Sequence, residues 1–109
     1  MILPKTSVKN AAYNRYFSGL KNTQYMGKCP DFKVGENYYE LEGFTTDKRE
    51  NALRNMLKRG VRQSDKIIIQ AEGSTDNHIK RIIHRRIKAG QKIKELWVQE
   101  TDGSLRRVY

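Results

Sequence analysis

The sequence predicts an α+β domain: one small mixed or antiparallel sheet with roughly three helices packed on it. Three observations carry that prediction. Apolar residues recur at helical spacing in three places. Short alternating or β-branched runs lie between and after them. Turn chemistry separates the strand-like runs, at Gly35-Glu36-Asn37 and at Thr101-Asp102-Gly103. The order is helix, β-hairpin, helix, strand, helix, β-hairpin. With 109 residues and neither a repeat nor a low-complexity linker, this is one domain. Residues 1–28 form a helix and basic loop, and 29–109 form the core.

The elements follow from local chemistry. Ser7 is a reasonable N-cap, and Val8, Ala12, Tyr16 and Leu20 recur four apart behind it. Gly19 ends that helix. Phe32 and Val34 make a short first strand. Asn37 to Phe44 alternates, with Tyr38, Glu40, Glu42 and Phe44 on one face and Tyr39, Leu41 and Gly43 on the other. Glu40 and Glu42 then stand roughly 7 Å apart. Thr45-Thr46 offers a cap for a helix over 47–59, with Ala52, Leu53, Met56 and Leu57 as its stripe and Gly60 as its C-cap. Lys66 to Ala71 holds three consecutive isoleucines and reads as a central strand covered on both faces. Ile79, Ile82, Ile83 and Ile87 stripe a helix over 76–89, which Gly90 ends. Strands over 93–99 and 104–109 close the chain.

Charge narrows the class of partner. The formal net charge is +10, with no acidic residue before Asp31. Such an excess favours a polyanion, because Lys and Arg displace condensed counterions from phosphate. Nucleic acid is the expected partner, and a solvated surface the bland alternative. The densest stretch is Lys80 to Lys94, with seven cations and no acid. On a wheel the isoleucines face inward and Lys80, Arg81, His84, Arg85 and Lys88 fall outside them. This gives a phosphate-binding set of Lys80, Arg81, Arg85, Arg86, Lys88 and Lys92.

Two groups of residues suggest chemistry. His84 sits among cations that disfavour its protonated form, so a neutral imidazole there suits a general base in RNA cleavage. The carboxylates Asp31, Glu40 and Glu42 suggest another possibility. Pro30-Asp31 followed by Glu40-Leu41-Glu42 fits the frame of the PD-(D/E)xK metal nucleases, except that Glu42 stands where those enzymes carry lysine. No metal-spaced Cys/His set, phosphate-cradling glycine loop or GxSxG elbow is present. No cofactor is expected for the first reading, and a divalent metal for the second.

Longer-range order adds a resemblance. Pro30-Asp31-Phe32, Gly35, Tyr39-Glu40, then Lys58, Gln63, Asp65 and Ile67-Ile68, then Ile93 to Val98 and Asp102-Gly103 follow one another as short motifs. The succession resembles the tRNase domain at the C-terminus of contact-dependent growth-inhibition toxins, with related domains in phage and mobile-element proteins. It covers residues 29–109. The resemblance implies a barnase/colicin/RelE-like fold, with helices on a curved antiparallel sheet. It implies metal-independent cleavage by the ribose 2′-hydroxyl, and an acidic immunity or antitoxin partner. It places a basic residue at Lys58, polar and basic positions at Gln63 and Lys66, with Lys66 joining the phosphate-binding set, and a hydroxyl at Thr45. The catalytic set expected is Glu40, Glu42, Lys58 and His84. A non-catalytic RNA- or DNA-binding module is the alternative.

Cys29 is the one cysteine, so no internal disulfide forms and a reducing interior suits the chain. The start, MILPKTS, lacks the apolar core of a signal peptide, and no apolar run has membrane-spanning length. A cytoplasmic location without membrane partners is expected.

Overall fold

The isoleucine run forms the middle of the sheet. In the computed structural model, β3 (Lys66–Ala71) lies between β2 (Asn37–Thr45) and β4 (Glu95–Gln99) and is parallel to both. β1 (Phe32–Val34) pairs antiparallel with β2, and β5 (Leu105–Arg107) pairs antiparallel with β4. The five strands therefore stand in chain order. The connections explain the mixture: tight turns join the outer pairs, whereas α2 (Glu50–Gly60) and α3 (Asp76–Lys88) cross between the inner strands. The fold is α+β, with a mixed sheet and three helices. Its parallel centre differs from the antiparallel sheet that the toxin resemblance implies. The structure describes every residue except Val8 and Lys48, and only the backbone of Phe44.

Strand order advances in one direction, so crossovers of one hand place both helices on one face. There Leu53, Met56 and Leu57 of α2 and Ile79, Ile82 and Ile83 of α3 close over Ile67, Ile69, Leu96 and Val98. Helix α1 (Ala11–Phe17) covers the start of β2 on the same side. Tyr13 stacks on Phe17 at 4.9 Å, and Phe17 on Tyr38 at 6.2 Å between ring centres. The isoleucine strand is therefore not covered on both faces as expected. Ile67 and Ile69 are fully buried, but Ile68 is only half-buried. It lines an apolar hollow with Phe32, Tyr39 and Trp97 on the face that no helix covers.

Several element ends differ from expectation for local reasons. Asn10 caps α1, its Oδ1 accepting from the Ala12 N–H at 2.9 Å. Ser7 instead accepts from the Lys9 N–H, outside the helix. Helix α1 buries Tyr13 and Phe17, not the expected Ala12 and Tyr16 stripe, and Val8 of that stripe lies outside the described residues. A 3-10 turn (Ser18–Leu20) follows, so Gly19 does not end the helix. Helix α2 starts at Glu50, not 47. Thr45 Oγ1 accepts from the Asp47 N–H and Asp47 Oδ1 from the Arg49 N–H, and Arg49 itself is extended, so the first helical residue is Glu50. Gly60 is the last helical residue, not a cap. A Cβ there would meet Ile67 Cγ2 at 3.0 Å, so glycine lets α2 pack closely on β3. At α3 the expectation holds closely: Thr75 accepts from the His78 N–H, and Gly90 follows the helix at φ +95°. β4 and β5 are shorter than the runs 93–99 and 104–109.

Candidate active site

The β1–β2 hairpin brings two carboxyls face to face. Phe32 pairs with Tyr39, and the Asp31 N–H donates to the Tyr39 carbonyl at 3.0 Å, so the ladder continues one residue outward. That register sets Asp31 opposite Glu40. Cross-strand neighbours have Cβ atoms about 5 Å apart, and like charges placed so are unfavourable. Protonation resolves the conflict. Burial, then the negative charge of Asp31, raises Glu40 to about 8. Asp31 moves the other way. Its own partial burial pushes it up, but hydrogen bonds from the Leu41 N–H, Lys5 and Glu40 outweigh that and leave it below its usual range. Lys5 Nζ lies 2.9 Å from Asp31 Oδ1 and also donates to the Cys29 carbonyl. Near neutral pH, Glu40 is thus a carboxylic acid donating to an Asp31 carboxylate, with an ammonium alongside. Two carboxyls driven apart in this way suit complementary proton-transfer roles. Glu40 is only 8% exposed, and its Oε1 has no hydrogen-bond partner among the described residues.

The other expected catalytic residues do not join this pair. Glu42 lies on the same side of β2 but accepts from Arg59 Nε at 3.1 Å, and its carboxylate is largely buried in that ion pair. Lys58 is exposed on α2, and among the described residues no ion pair ties it to either glutamate. His84 is exposed on α3 with its ring edge-on to Tyr109 at 6.1 Å. Tyr109 pairs its backbone with Leu96, at the β5 edge. β2 stands three strands away, about 14 Å at ordinary strand spacing. The quartet Glu40, Glu42, Lys58 and His84 is therefore not one site. Lys5, which had no local sequence signal, takes the cationic place.

The expected phosphate-binding residues separate into two groups. Lys80, Arg81 and Lys88 are exposed on the outer side of α3. Arg85 of that helix is engaged by Glu50 in an ion pair, and Arg86 is half-buried. Lys66 and Lys92 lie elsewhere, beside Tyr25 and Asp65 at the amino ends of β3 and β4. On the uncovered sheet face, the Glu95 carboxylate accepts from the Tyr39 hydroxyl and the Trp97 indole N–H, both at 3.1 Å, with Arg107 at 3.7 Å. Sequence reading passed over this knot because its members lie on three strands.

Among the described residues, no group of three or more His, Cys, Asp or Glu side chains is arranged to hold a metal ion. None of their helices is long and apolar enough to cross a membrane. Comparison with protein-family models, curated proteins and solved structures finds no match.

Proposed function

We propose that this chain is an endoribonuclease that cleaves without a metal, with Asp31, Glu40 and Lys5 as its reacting groups. The observation that carries the reading is the carboxyl pair held face to face across the hairpin beside an ammonium, an arrangement that favours one protonated and one ionised member. Cleavage by internal transfer needs a base for the ribose 2′-hydroxyl, an acid for the departing 5′-oxygen and a cation at the phosphate. Asp31 takes the 2′-hydroxyl proton as that oxygen attacks phosphorus. Glu40 gives its proton to the 5′-oxygen as the P–O bond breaks, leaving a 2′,3′-cyclic phosphate. A proton hop from Asp31 to Glu40 across their hydrogen bond restores the pair. Lys5 offsets the charge that builds on the non-bridging oxygens. The net charge of +10 supports a polyanionic substrate. The resemblance to toxin tRNase domains makes tRNA the first substrate to try, and an acidic immunity protein the partner to seek.

A second reading has one observation in its favour. Pro30-Asp31 and Glu40, the carboxyls of a PD-(D/E)xK frame, do converge, and Glu40 Oε1 is left unpartnered among the described residues. In that reading the pair would hold a divalent cation that activates water. Incubation with total tRNA, with and without EDTA, decides between them. Cleavage that survives EDTA and is lost in Glu40→Gln supports the metal-free centre. Cleavage that EDTA abolishes supports the metal. A salt-dependent mobility shift without cleavage leaves a binding module and refutes both catalytic readings.

A further inference from the structure

A pronounced concavity lies away from the α3 face to which the sequence assigned phosphate. Two adjoining hollows, of about 420 and 380 Å³, share Gln24, Tyr25 and Lys92 at the amino ends of β3 and β4. Five cations line them: Lys28, Arg62, Lys66, Lys92 and Lys94. Among the described residues that line them, only Glu36 and Asp65 carry the opposite charge. Asp65 is buried and engages two of the cations, with Lys66 Nζ at 3.1 Å and Lys94 Nζ at 3.8 Å. It therefore acts as a hub that fixes two ammonium groups on the rim. Lys28, Arg62 and Lys92 are exposed, and no ion pair among the described residues engages them. The Tyr25 side chain is buried against Leu20 and Tyr38 and forms the rigid wall between the hollows.

Concavity makes this charge more effective than the same charge on a convex helix. A groove of one sign with a low-dielectric wall focuses the field and raises the local concentration of an anion. On α3 the free cations Lys80, Arg81 and Lys88 project into open solvent, and Arg85 is neutralised by Glu50. The cleft is also tied to the carboxyl pair through the chain. Lys28 is three residues before Asp31, a reach of at most about 10 Å along the chain.

We infer that the phosphodiester backbone of a single-stranded RNA binds in this cleft, on Lys28, Arg62 and Lys92 with Lys66 and Lys94, and not along the outer face of α3. The inference rests on the nucleic-acid part of the function proposed above and is independent of cleavage.

The test measures fluorescence anisotropy of a labelled 2′-O-methyl oligoribonucleotide, which has no 2′-hydroxyl to attack, over a range of salt. Two triple charge reversals are compared: Lys28→Glu, Arg62→Glu and Lys92→Glu in the cleft, and Lys80→Glu, Arg81→Glu and Lys88→Glu on α3. Both change the net charge equally, so a difference between them reports location and not the overall field. The cleft variant should lose more than about tenfold in affinity, and its log Kd against log salt slope should fall by about two, as three phosphate contacts at ~0.7 each require. The α3 variant should stay within about threefold of the unaltered chain. Neutral Gln replacements at the same cleft positions should show a smaller loss in the same direction, which guards against misfolding of the reversed chain. Equal weakening by both reversals, or greater weakening by the α3 set, overturns the assignment while leaving RNA binding intact. No binding by the unaltered chain overturns both this inference and the nucleic-acid reading beneath it.

Discussion

Replacing Glu40 by Gln should flatten the pH dependence of stability. In the folded chain Glu40 holds its proton up to about pH 8, whereas an unfolded glutamate releases it near 4.5. Between those values the folded state binds a proton that the unfolded state lacks, so stability falls as pH rises through the window. Each pH unit corresponds to about 1.4 kcal/mol when one proton separates the states. Between about pH 5 and about pH 9 the ceiling is therefore ~4 kcal/mol. Water entry and relaxation around a group near the surface reduce that, and we expect about 2 kcal/mol. Glutamine keeps the volume, and its NH₂ donates to Asp31 as the protonated carboxyl does, but it has no proton to lose. Asp31, lowered from its usual range, titrates below this window and does not contribute to it. Urea unfolding at several pH values gives the comparison, with the slope m checked for constancy. The native chain should lose about 2 kcal/mol relative to Glu40→Gln on going from acid to base. Parallel stability curves for the two proteins would refute the assignment of a shared proton to this pair.

Three other outcomes follow from the same geometry. Asp31→Asn should lower RNA cleavage by about 10²- to 10⁴-fold, the usual contribution of a positioned base, as read by the release of cyclic-phosphate product. Lys58→Ala and His84→Ala should each leave the cleavage rate within about twofold, because both side chains are exposed and neither is tied to the carboxyl pair. Ile69→Ala should cost about 3 kcal/mol in thermal or urea unfolding, since Ile69 is fully buried between the sheet and its helices.

Much of the architecture is legible in the sequence because its elements are locally consistent. The Leu53, Met56 and Leu57 stripe, the isoleucine stripe of α3 with its Thr75 cap, and the Asp102-Gly103 turn each name their element unaided. The misreadings come from competition between neighbouring signals. Ser7 and Asn10 both suit a cap, and only packing of Tyr13 and Phe17 against Tyr38 selects the second. The site was half legible for a similar reason. Reading Gly35-Glu36-Asn37 as the turn leaves the hairpin register open. In the structure Val34 pairs with Asn37, so the loop is Gly35-Glu36 alone, and that two-residue length sets Asp31 opposite Glu40. Glu42 looked equivalent to Glu40 by strand parity, yet Arg59, a turn-end residue of α2, neutralises it. Lys5 could not be found by periodicity, because it reaches Asp31 through a segment whose position is set by Leu3 pairing with the Asp31 carbonyl. The basic run of 80–94 was visible as charge, but which of its cations face a cleft depends on where the chain turns after Gly90.

The pH–rate profile of RNA cleavage in the presence of EDTA tests the carboxyl pair most directly. With Glu40 as the acid, the rate should hold through neutrality and fall above about pH 8, and Glu40→Gln should remove both the activity and that basic limb. A profile that keeps rising past pH 9 on the native chain, or cleavage that Glu40→Gln leaves intact, would contradict the proposed centre.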